Sequence, residues 1–393
     1  IMPSLVGSEM CIRDRIHTRY RHFGGEDAAV ENEINLLKRH YEVKTIYFTN
    51  SINNYFYDLT AFITTRNKNS MNKLQQEINN FKPDIAYVHN TWFKASLGVF
   101  SILKNNNIPT ILKLHNFRYR CSQTYTAKGH FLNSNLCLAC GLEKGKLQIF
   151  NKYYVESYFK SIFLIKYGKK YFELLKKYNL KILVLTYFHK DNLSFSGISK
   201  SKIKIFPNYL SEENDSKYNP SSKYLIYAGR ISKEKGIYEL IEAFLEMDND
   251  ELVLKIIGDG PELINIKNKF DSKKILFLGE MKNKEVISEI RKSRAAITAT
   301  KLLEGQPTLL CEASINGIPS IFPRSGGISE FFTDDYKLSF EQFDYYQLKE
   351  KLALLENSEL LKKIGKDNKR YITEYLDEKK LIAEFEEMMP KNV

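Results

Sequence analysis

Two glutamates eight residues apart form the sharpest chemical signal in this sequence. Glu304 and Glu312 lie within TKLLEGQPTLLCEASINGIPSIFPRSGGISEFF, residues 300–332. The pattern places Glu304 in a loop after a strand and Glu312 in the first turns of the next helix, because Pro307 suits a first helical turn. A helix N-terminus attracts phosphate, and ionised carboxylates are strong acceptors for hydroxyl groups. The pattern therefore indicates a site for a ligand that carries both phosphate and sugar hydroxyls.

A second signal combines a glycine with two cations in YAGRISKEKGIYELIEAF, residues 227–244. A predicted strand ends at Gly229, and Arg230 and Lys235 follow before a predicted helix. Glycine lets the backbone approach a ligand closely, arginine can bind a phosphate through two hydrogen bonds, and lysine adds a point charge. Either cation alone is more often a solvated surface residue, so a phosphate site is inferred only from the two segments together.

The elements that must position these residues alternate between strand and helix in two series. The first series has predicted strands at 42–48, 84–89, 110–115, 181–187 and 202–206. The second has predicted strands at 224–229, 252–258, 274–279, 295–300 and 319–323. Such alternation predicts an α/β protein with two doubly wound parallel sheets. Ligands of these sheets bind beyond the carboxyl ends of the strands, so the cleft between the two domains is the expected site.

The domain boundaries follow from the same pattern. A polar, turn-rich connection at 207–222 separates the two series. We therefore predict a first domain over 16–207 and a second over 208–370. A charged helical tail over 371–393 is expected to pack back on the first domain.

The first fifteen residues, IMPSLVGSEMCIRDR, fit neither series. Back-translated, they match one continuous string of a transposase-based sequencing adapter, so we interpret residues 1–15 as translated adapter and exclude them from fold reasoning. On this hypothesis only Ile16-His17-Thr18 remains of the first native strand. Residues around Met10 to Arg15 are then expected in the place of the lost part.

Four cysteines lie outside that segment, and three of them are close in sequence. Cys121 and the pair Cys137-x-x-Cys140 form a partial metal pattern, with His130 as a candidate fourth ligand. Structural zinc usually needs four ligands, and no second close pair exists. The sequence therefore favours free thiols in a substrate-side loop over a metal site, with zinc as the weaker alternative. Cys311 is expected in the core.

Charge and composition leave the partner open. The chain has 59 Lys and Arg against 47 Asp and Glu, a net charge of +12, which suits anionic partners but equally fits a lysine-rich AT-biased genome. The sequence contains no stretch of about 18 or more apolar residues, so no membrane-spanning helix is predicted. Lysines alternate with aromatics over 150–178, on a predicted helix 146–178. Two interpretations of this segment are equally good: it contacts an anionic membrane, or it is a packed helix with a solvated basic edge. RNA binding is a weaker alternative.

Together, these segments resemble the retaining nucleotide-sugar glycosyltransferases of family 4, glycosyl transferase group 1, which have the GT-B fold. The resemblance rests on Glu304 and Glu312 with seven residues between them, followed by Gly317-Ile318-Pro319 and the loop Gly326-Gly327-Ile328-Ser329-Glu330. Gly229-Arg230 and Lys235-Gly236 match the family's Gly-Arg strand end and Lys-Gly helix start. Gly24-Gly25 match its first glycine loop, and His115 matches a histidine at a strand end. The match runs over nearly the whole chain from Ile16.

The resemblance implies a role for each matching residue. Arg230 and Lys235 are expected to neutralise the donor diphosphate, and Glu312 to hold the ribose hydroxyls. Glu304 is expected to contact the transferred sugar with backbone N–H groups near Thr308 and Leu309. Residues of the first domain complete the implied site: Gly24 and Gly25 near the phosphates, and His115 against the donor sugar.

The implied function is transfer of a sugar from a UDP- or GDP-sugar to a growing bacterial surface glycan, with no cofactor or metal required. The expected acceptor is lipid-linked, at the inner face of the cytoplasmic membrane, and no nucleic-acid partner is expected. Two alternatives stay open: a nucleotide-sugar epimerase or hydrolase on the same fold, and a non-enzymatic basic adaptor for membrane or RNA.

Overall fold

The computed structural model describes residues 12–19, 25–49, 55–145, 157–210 and 218–389. Within these ranges the strands form two six-stranded sheets in the orders β2-β1-β3-β4-β5-β6 and β12-β11-β10-β7-β8-β9. Every strand pair is parallel. The prediction of two parallel α/β domains is therefore confirmed.

The strands agree closely with the predicted alternation. The first sheet contains β1 (Ile12–Arg19), β2 (Lys44–Thr49), β3 (Ile85–Val88), β4 (Thr110–Leu114), β5 (Lys181–Val184) and β6 (Ile203–Ile205). The second contains β7 (Tyr224–Ala228), β8 (Val253–Ile257), β9 (Ile275–Gly279), β10 (Ala295–Ile297), β11 (Ser320–Arg324) and β12 (Ser339–Glu341).

Helices connect the strands in both domains. The first domain has α1 (Gly25–Leu37), α2 (Tyr55–Thr64), α3 (Lys68–Phe81), α4 (Gly98–Asn105), α5 (Arg118–Cys121), α6 (Ala127–Phe131), α7 (Tyr158–Lys177) and α8 (Tyr187–Phe195). The second has α9 (Ile237–Leu245), α10 (Leu263–Lys269), α11 (Asn283–Arg291), α12 (Thr308–Ile315), α13 (Tyr345–Ala353) and α14 (Ser358–Tyr375), and α15 (Glu378–Glu386) ends the described chain. Helices α2 and α8 and strand β12 are additions to the sequence prediction. The interval 117–145, which follows the predicted strand 110–115, includes the short helices α5 and α6.

Alternate residues of central strands enter different cores in both sheets, as in β7, where Leu225 and Tyr227 belong to one cluster and Ile226 to another. In β3, Ala86 and Val88 belong to one apolar cluster and Ile85 and Tyr87 to another on the opposite face. Strand side chains alternate between faces, and burial on both faces explains why these strands read as continuous apolar runs.

Strand β1 lies inside the first sheet, between β2 and β3. It begins at Ile12, so its first four residues belong to the segment interpreted as adapter, and the main chain from Arg15 to Arg19 pairs in register with β2. The sequence analysis expected residues around Met10 to Arg15 to occupy the start of this strand; of these, residues 12–15 are described. That residues 1–15 are translated adapter stays a prediction.

A buried ion pair fixes α1 against the first sheet. Lys113 on β4 donates to Glu33 on α1 at 3.0 Å, and the Tyr87 hydroxyl donates to the same oxygen at 2.8 Å. The Lys113 and Glu33 side chains have no exposed surface. Removing one partner of such a pair leaves an uncompensated buried charge, so the contact holds α1, and with it Gly25, in a set position.

The last helix returns to the first domain. Helix α14 packs on the second domain, where Ile372 is buried, and the chain then crosses to α15. Phe385 on α15 is fully buried beside Tyr87 and Phe206, with ring centroids 5.4 and 5.7 Å away. The tail thus covers one face of the first sheet. The domain boundaries given above stay predictions.

Helix α7 covers the described part of the basic aromatic segment. Tyr167, Tyr171 and Phe172 are buried in the first domain, which favours the packed-helix interpretation for these three. Tyr158 and Phe159 at its start are 53% and 78% exposed. Among the described residues, no helix is both long and apolar enough to cross a membrane.

Candidate active site

A lysine–glutamate pair joins the two strongest sequence signals. Lys235 lies in a short 3-10 helix, Lys233–Lys235, after β7, and Glu304 lies in the loop after β10. Their side chains meet at 2.6 Å, and the Thr300 hydroxyl donates to the same Glu304 oxygen, Oε1, at 2.9 Å. Both members of the pair are partly exposed. The structure therefore brings together two predicted residues 69 positions apart.

The start of α12 meets the start of α1 across the cleft. Thr308 and Leu309 open α12 after Pro307, and Gly25 opens α1. A Cβ on Gly25 would lie 2.9 Å from the Thr308 hydroxyl oxygen, so a side chain there would require Thr308 to shift. First-turn N–H groups and the helix dipole favour anions, and two such ends converge here. Gly24 lies outside the described residues.

Glu312 lies deeper, in α12, and is only 6% exposed. The Asn283 side-chain amide donates to it at 2.8 Å. Burial raises the pKa of Glu312 to about 7, although the Asn283 hydrogen bond opposes the shift. Sequence reasoning missed Asn283, because no spacing connects it to Glu312.

Arg230 and Gly229 form an exposed loop at the end of β7. Within the described residues, Arg230 forms no ion pair, so its guanidinium is available to an external anion. A second loop packs directly on this one: a Cβ on Gly258 would lie 2.1 Å from the Gly229 carbonyl oxygen, and one on Gly260 would lie 2.2 Å from that of Ile231. Sequence reasoning missed this loop, although Gly258-Asp259-Gly260 directly after a strand was a signal.

The Gly-Gly loop supports the backbone of Glu304. The Gly327 N–H donates to the Glu304 carbonyl oxygen at 2.8 Å. Gly326 has φ of +60°, and a Cβ there would lie 2.3 Å from the same oxygen. Both the left-handed backbone and the close approach require glycine.

Glu330, after this loop, reaches the other domain. Its two carboxylate oxygens accept hydrogen bonds from the N–H groups of Tyr187 and Phe188 at 2.7 and 2.9 Å. It therefore caps α8 of the first domain. Burial raises the pKa of Glu330, and the two N–H donors act in the opposite direction.

His115, at the end of β4, pairs with a second histidine. His115 Nε2 lies 3.0 Å from Nδ1 of His89, which follows β3, and their rings stack. Both line a cavity with Glu26, Trp92 and Lys113. Since Glu26 is next to Gly25, this cavity borders the meeting point of the helix starts. His89 was missed, although its place after a strand repeats that of His115. Asn116 accepts from the Arg118 N–H and so shapes the following turn.

The cysteine loop also reaches the second domain. The Leu303 N–H donates to the Leu138 carbonyl oxygen at 2.8 Å, and a Cβ on Gly141 would lie 2.5 Å from Cβ of Glu234. Leu303 and Glu234 directly precede Glu304 and Lys235 in the sequence. The loop thus lies against both members of the ion pair.

Taken together, the site has cations and helix starts that can hold a diphosphate, and carboxylates that can accept hydroxyl hydrogen bonds. Residues from both domains contribute, as expected for a cleft between two parallel sheets.

Known proteins resemble this chain in sequence. Residues 211–371 match the sequence profile of the family described as "Glycosyl transferases group 1". The putative teichuronic acid biosynthesis glycosyltransferase TuaC of Bacillus subtilis is 28% identical over 137 residues, which cover 35% of this chain and 34% of TuaC. The chain therefore matches about one third of the length of that relative. Alpha-monoglucosyldiacylglycerol synthase of Acholeplasma laidlawii is 26% identical over 307 residues, or 74% of this chain and 71% of that protein.

A solved structure extends the likeness to both domains. The crystal structure of Anabaena HepE in complex with UDP-glucose superposes with a TM-score of 0.67 at 13% identity, covering 95% of this chain and 98% of HepE. At this identity the likeness concerns the fold. These comparisons show that residues 211–371 are similar to the glycosyl transferases group 1 family, and that the two domains together have the GT-B fold.

Proposed function

We propose that this protein is a retaining glycosyltransferase that moves a sugar from a nucleotide diphosphate sugar to a glycan acceptor. The observation that carries the proposal is the Lys235–Glu304 pair, in the same cleft as the start of α12, which faces Gly25. A cation, a carboxylate and two helix N-termini from both domains are what a sugar diphosphate needs for recognition.

Each residue has a role in this proposal. Arg230 and Lys235 neutralise the diphosphate, and Glu312 accepts hydrogen bonds from the ribose hydroxyls. Glu304 orients the transferred sugar with the N–H groups of Thr308 and Leu309. Positioning of this kind lowers the barrier by holding the reactants in a reactive geometry. Together with the helix starts, the cations stabilise the charge that develops on the leaving group.

In the proposed reaction, the bond between the anomeric carbon and the diphosphate oxygen breaks, and the acceptor oxygen bonds to that carbon on the same face. The acceptor proton passes to an oxygen of the leaving phosphate, so no protein base is assigned. His115, supported by His89, lies on the first-domain side and orients the sugar.

The acceptor and its location are a finer part of the proposal. We infer a lipid-linked surface glycan at the cytoplasmic face of the membrane. The net charge of +12 and the exposed Tyr158 and Phe159 support contact with an anionic membrane. The names of two relatives, "Putative teichuronic acid biosynthesis glycosyltransferase TuaC" and "Alpha-monoglucosyldiacylglycerol synthase", support a cell-envelope acceptor.

Nucleotide-dependent thermal stabilisation tests the donor site. We expect one of UDP, GDP, ADP and dTDP to raise the Tm, since a ligand at 100 times its Kd stabilises by about 2.7 kcal/mol. UDP is favoured because the solved neighbour binds UDP-glucose. Glu312→Ala is expected to lose the shift, and Glu251→Ala, at an exposed site in the same domain, to retain it. No shift with any nucleotide in folded protein contradicts the proposal and favours the adaptor alternative.

Product analysis separates transfer from epimerisation and hydrolysis. With the matching nucleotide sugar, we expect product only when an acceptor is added, with the anomeric configuration of the donor retained, as read by NMR. Glu304→Gln is expected to lower turnover about 100-fold or more while nucleotide affinity changes little. Glu251→Gln serves as its control. Consumption of the donor at the same rate without acceptor contradicts transfer and supports the epimerase or hydrolase alternative.

A further inference from the structure

Four potential metal ligands converge in the first domain, outside the residues assigned to the donor. Cys121, His130, Cys137 and Cys140 offer ligand atoms that all lie within 4.8 Å of one another. We propose that these four side chains bind one Zn²⁺ ion tetrahedrally in a structural site. This proposal does not depend on the enzymatic one.

The distances between the ligand atoms are close to those of a zinc site. With Zn–S of about 2.3 Å and Zn–N of about 2.0–2.1 Å, tetrahedral geometry places neighbouring ligand atoms about 3.5–3.8 Å apart. Cys140 Sγ lies 3.4 Å from His130 Nε2. Three sulfurs and one imidazole nitrogen are a typical ligand set for structural zinc, and four protein ligands leave no open position for catalysis.

Local structure places the Cys137 and Cys140 sulfurs together. The Gly141 N–H donates to the Cys137 carbonyl oxygen at 2.8 Å, and the Cys137 N–H donates to that of Leu142 at 2.9 Å. Gly141 has φ of +77°, which a residue with a side chain rarely adopts. This tight turn folds the Cys-x-x-Cys segment around one point, with the two sulfurs on the side where His130 lies.

The other two ligands come from separate short helices. Cys121 ends α5 and His130 lies on α6, both buried. The sequence separation from Cys121 to Cys137 explains why no second close pair was visible in the sequence. Free thiols were the expectation there; the gathered geometry favours metal instead.

The surrounding apolar core is too small to hold this loop by itself. Besides the cysteines, its fully buried members are Ala127 and Phe131. Small units with little core commonly depend on a metal, whose binding free energy becomes folding free energy. A bound zinc would therefore supply the stability that hydrophobic burial does not.

The cysteine loop contacts the backbone next to both members of the Lys235–Glu304 pair. Leu138, between the two ligands of the turn, accepts the hydrogen bond from Leu303 N–H, and Gly141 contacts Glu234. On the other side, a Cβ on Gly168 of α7 would lie 2.5 Å from Ser122 Oγ, next to Cys121. Zinc at this point braces α7 and the loop against the backbone that carries Glu304 and Lys235.

Metal analysis of the full chain tests the site. We expect one zinc per chain by mass spectrometry after growth with zinc. Replacement with Co²⁺ is expected to give the visible absorption of a tetrahedral thiolate site. The double variant Cys137→Ser/Cys140→Ser is expected to lose the metal. His130→Cys is expected to keep it with a changed Co²⁺ spectrum, and Cys311→Ala, at a buried cysteine of the second domain, to keep it unchanged.

The unmodified chain provides a test that does not require a variant to fold. A chelator is expected to expose three additional reactive thiols if Cys121, Cys137 and Cys140 are ligands. Zinc content no higher than in the double variant, thiols that react equally with and without chelator, or a Cys137–Cys140 disulfide would each overturn the proposal.

Hydrogen exchange tests the brace separately. Removing zinc is expected to accelerate exchange at the Leu303 amide by at least tenfold, because its acceptor lies between two ligands. Exchange in β8, inside the sheet of the second domain, is the internal control and is expected to stay unchanged. Equal rates at Leu303 with and without zinc would show that the metal orders only its own loop.

Discussion

At the scale of single residues, burial changes the acidity of Glu312. The residue is 6% exposed and its carboxylate accepts a hydrogen bond from Asn283; burial raises its pKa to about 7. Without a ligand the carboxyl group therefore keeps its proton to a higher pH than an exposed glutamate does. Ribose hydroxyls that donate to it would favour the ionised form, because hydrogen bonds to a charged form stabilise that form.

This pKa predicts how donor affinity depends on pH. In the proposed role, Glu312 must lose a proton below pH 7 before it can accept the ribose hydroxyls as a carboxylate. We therefore expect the affinity for UDP-glucose to fall with falling pH, by up to tenfold per unit. The measurement is calorimetric titration from pH 8 to 5.5. A nucleotide sugar is the right probe, because its phosphate diesters do not titrate in this range.

The control for that series is Glu312→Gln, which has a similar shape but no ionisation. It is expected to bind more weakly at pH 8 and to show a flat profile. The sign for stability is opposite to that for binding. The folded chain holds a proton on Glu312 that the unfolded chain releases above its ordinary pKa of 4.5, so this group contributes less stability as pH rises from 4.5 through 7. An unchanged affinity in the unsubstituted protein across this range would remove Glu312 from the ribose contact.

At the scale of elements, the capping of α8 connects the two domains. Thr186, in the first domain, accepts from the His189 N–H at 3.1 Å, and Glu330, in the second, accepts from Tyr187 and Phe188. An acidic group at a helix N-terminus also complements the dipole. One helix end is thus satisfied jointly by both domains.

We predict that Glu330→Ala changes the relation between domains as well as stability. Losing the cap is expected to cost about 0.5–2 kcal/mol of unfolding free energy. It should also increase the radius of gyration in small-angle scattering, because an interdomain contact is lost. Asp344→Ala removes the cap of α13, where Asp344 accepts from Gln347 N–H. This control is expected to lose similar stability with no change in radius. Equal scattering from both variants would mean that Glu330 does not hold the cleft.

At the scale of the whole molecule, the chain's last described helix stabilises its first domain. Phe385 packs against Tyr87 and Phe206, and the nearby Met388 and Met389 are buried in the same cluster. The first sheet needs both faces covered, and α15 supplies part of one face. The chain therefore leaves the first domain near Pro207 and returns to it at α15.

We predict that Phe385→Ala destabilises the first domain although the residue lies near the end of the sequence. Removing a buried aromatic ring costs about 3–5 kcal/mol. Hydrogen exchange is expected to accelerate in β3 and β4. Phe244→Ala, at an equally buried ring of the second domain, is expected to accelerate exchange in β7 and β8 instead. Acceleration in the second domain by Phe385→Ala would contradict the packing described.

Much of the fold and part of the site were predictable because their signals are local. Strands β3, β4, β5, β7 and β8 are short β-branched runs between turns, and their alternation with helices is sufficient to predict parallel sheets. Glu304, Glu312, Arg230 and Lys235 could be placed at the ends of strands or the start of a helix because each lies a few positions from such an end in the sequence. Helices α2 and α8 were missed because an aromatic-rich segment resembles a strand as much as a buried helix.

The sequence by itself determined the two α/β series and which acidic, basic and glycine residues lie at their ends, because secondary structure and helix starts depend on neighbours within a few positions. Only the tertiary structure decided that Gly25 faces Thr308, that Glu330 caps a helix of the other domain, and that His130 joins the three cysteines. These contacts join residues far apart in the chain. Docking of the two domains and folding of the cysteine loop bring these residues together. A pattern of neighbouring residues in the sequence does not specify which distant residues will meet.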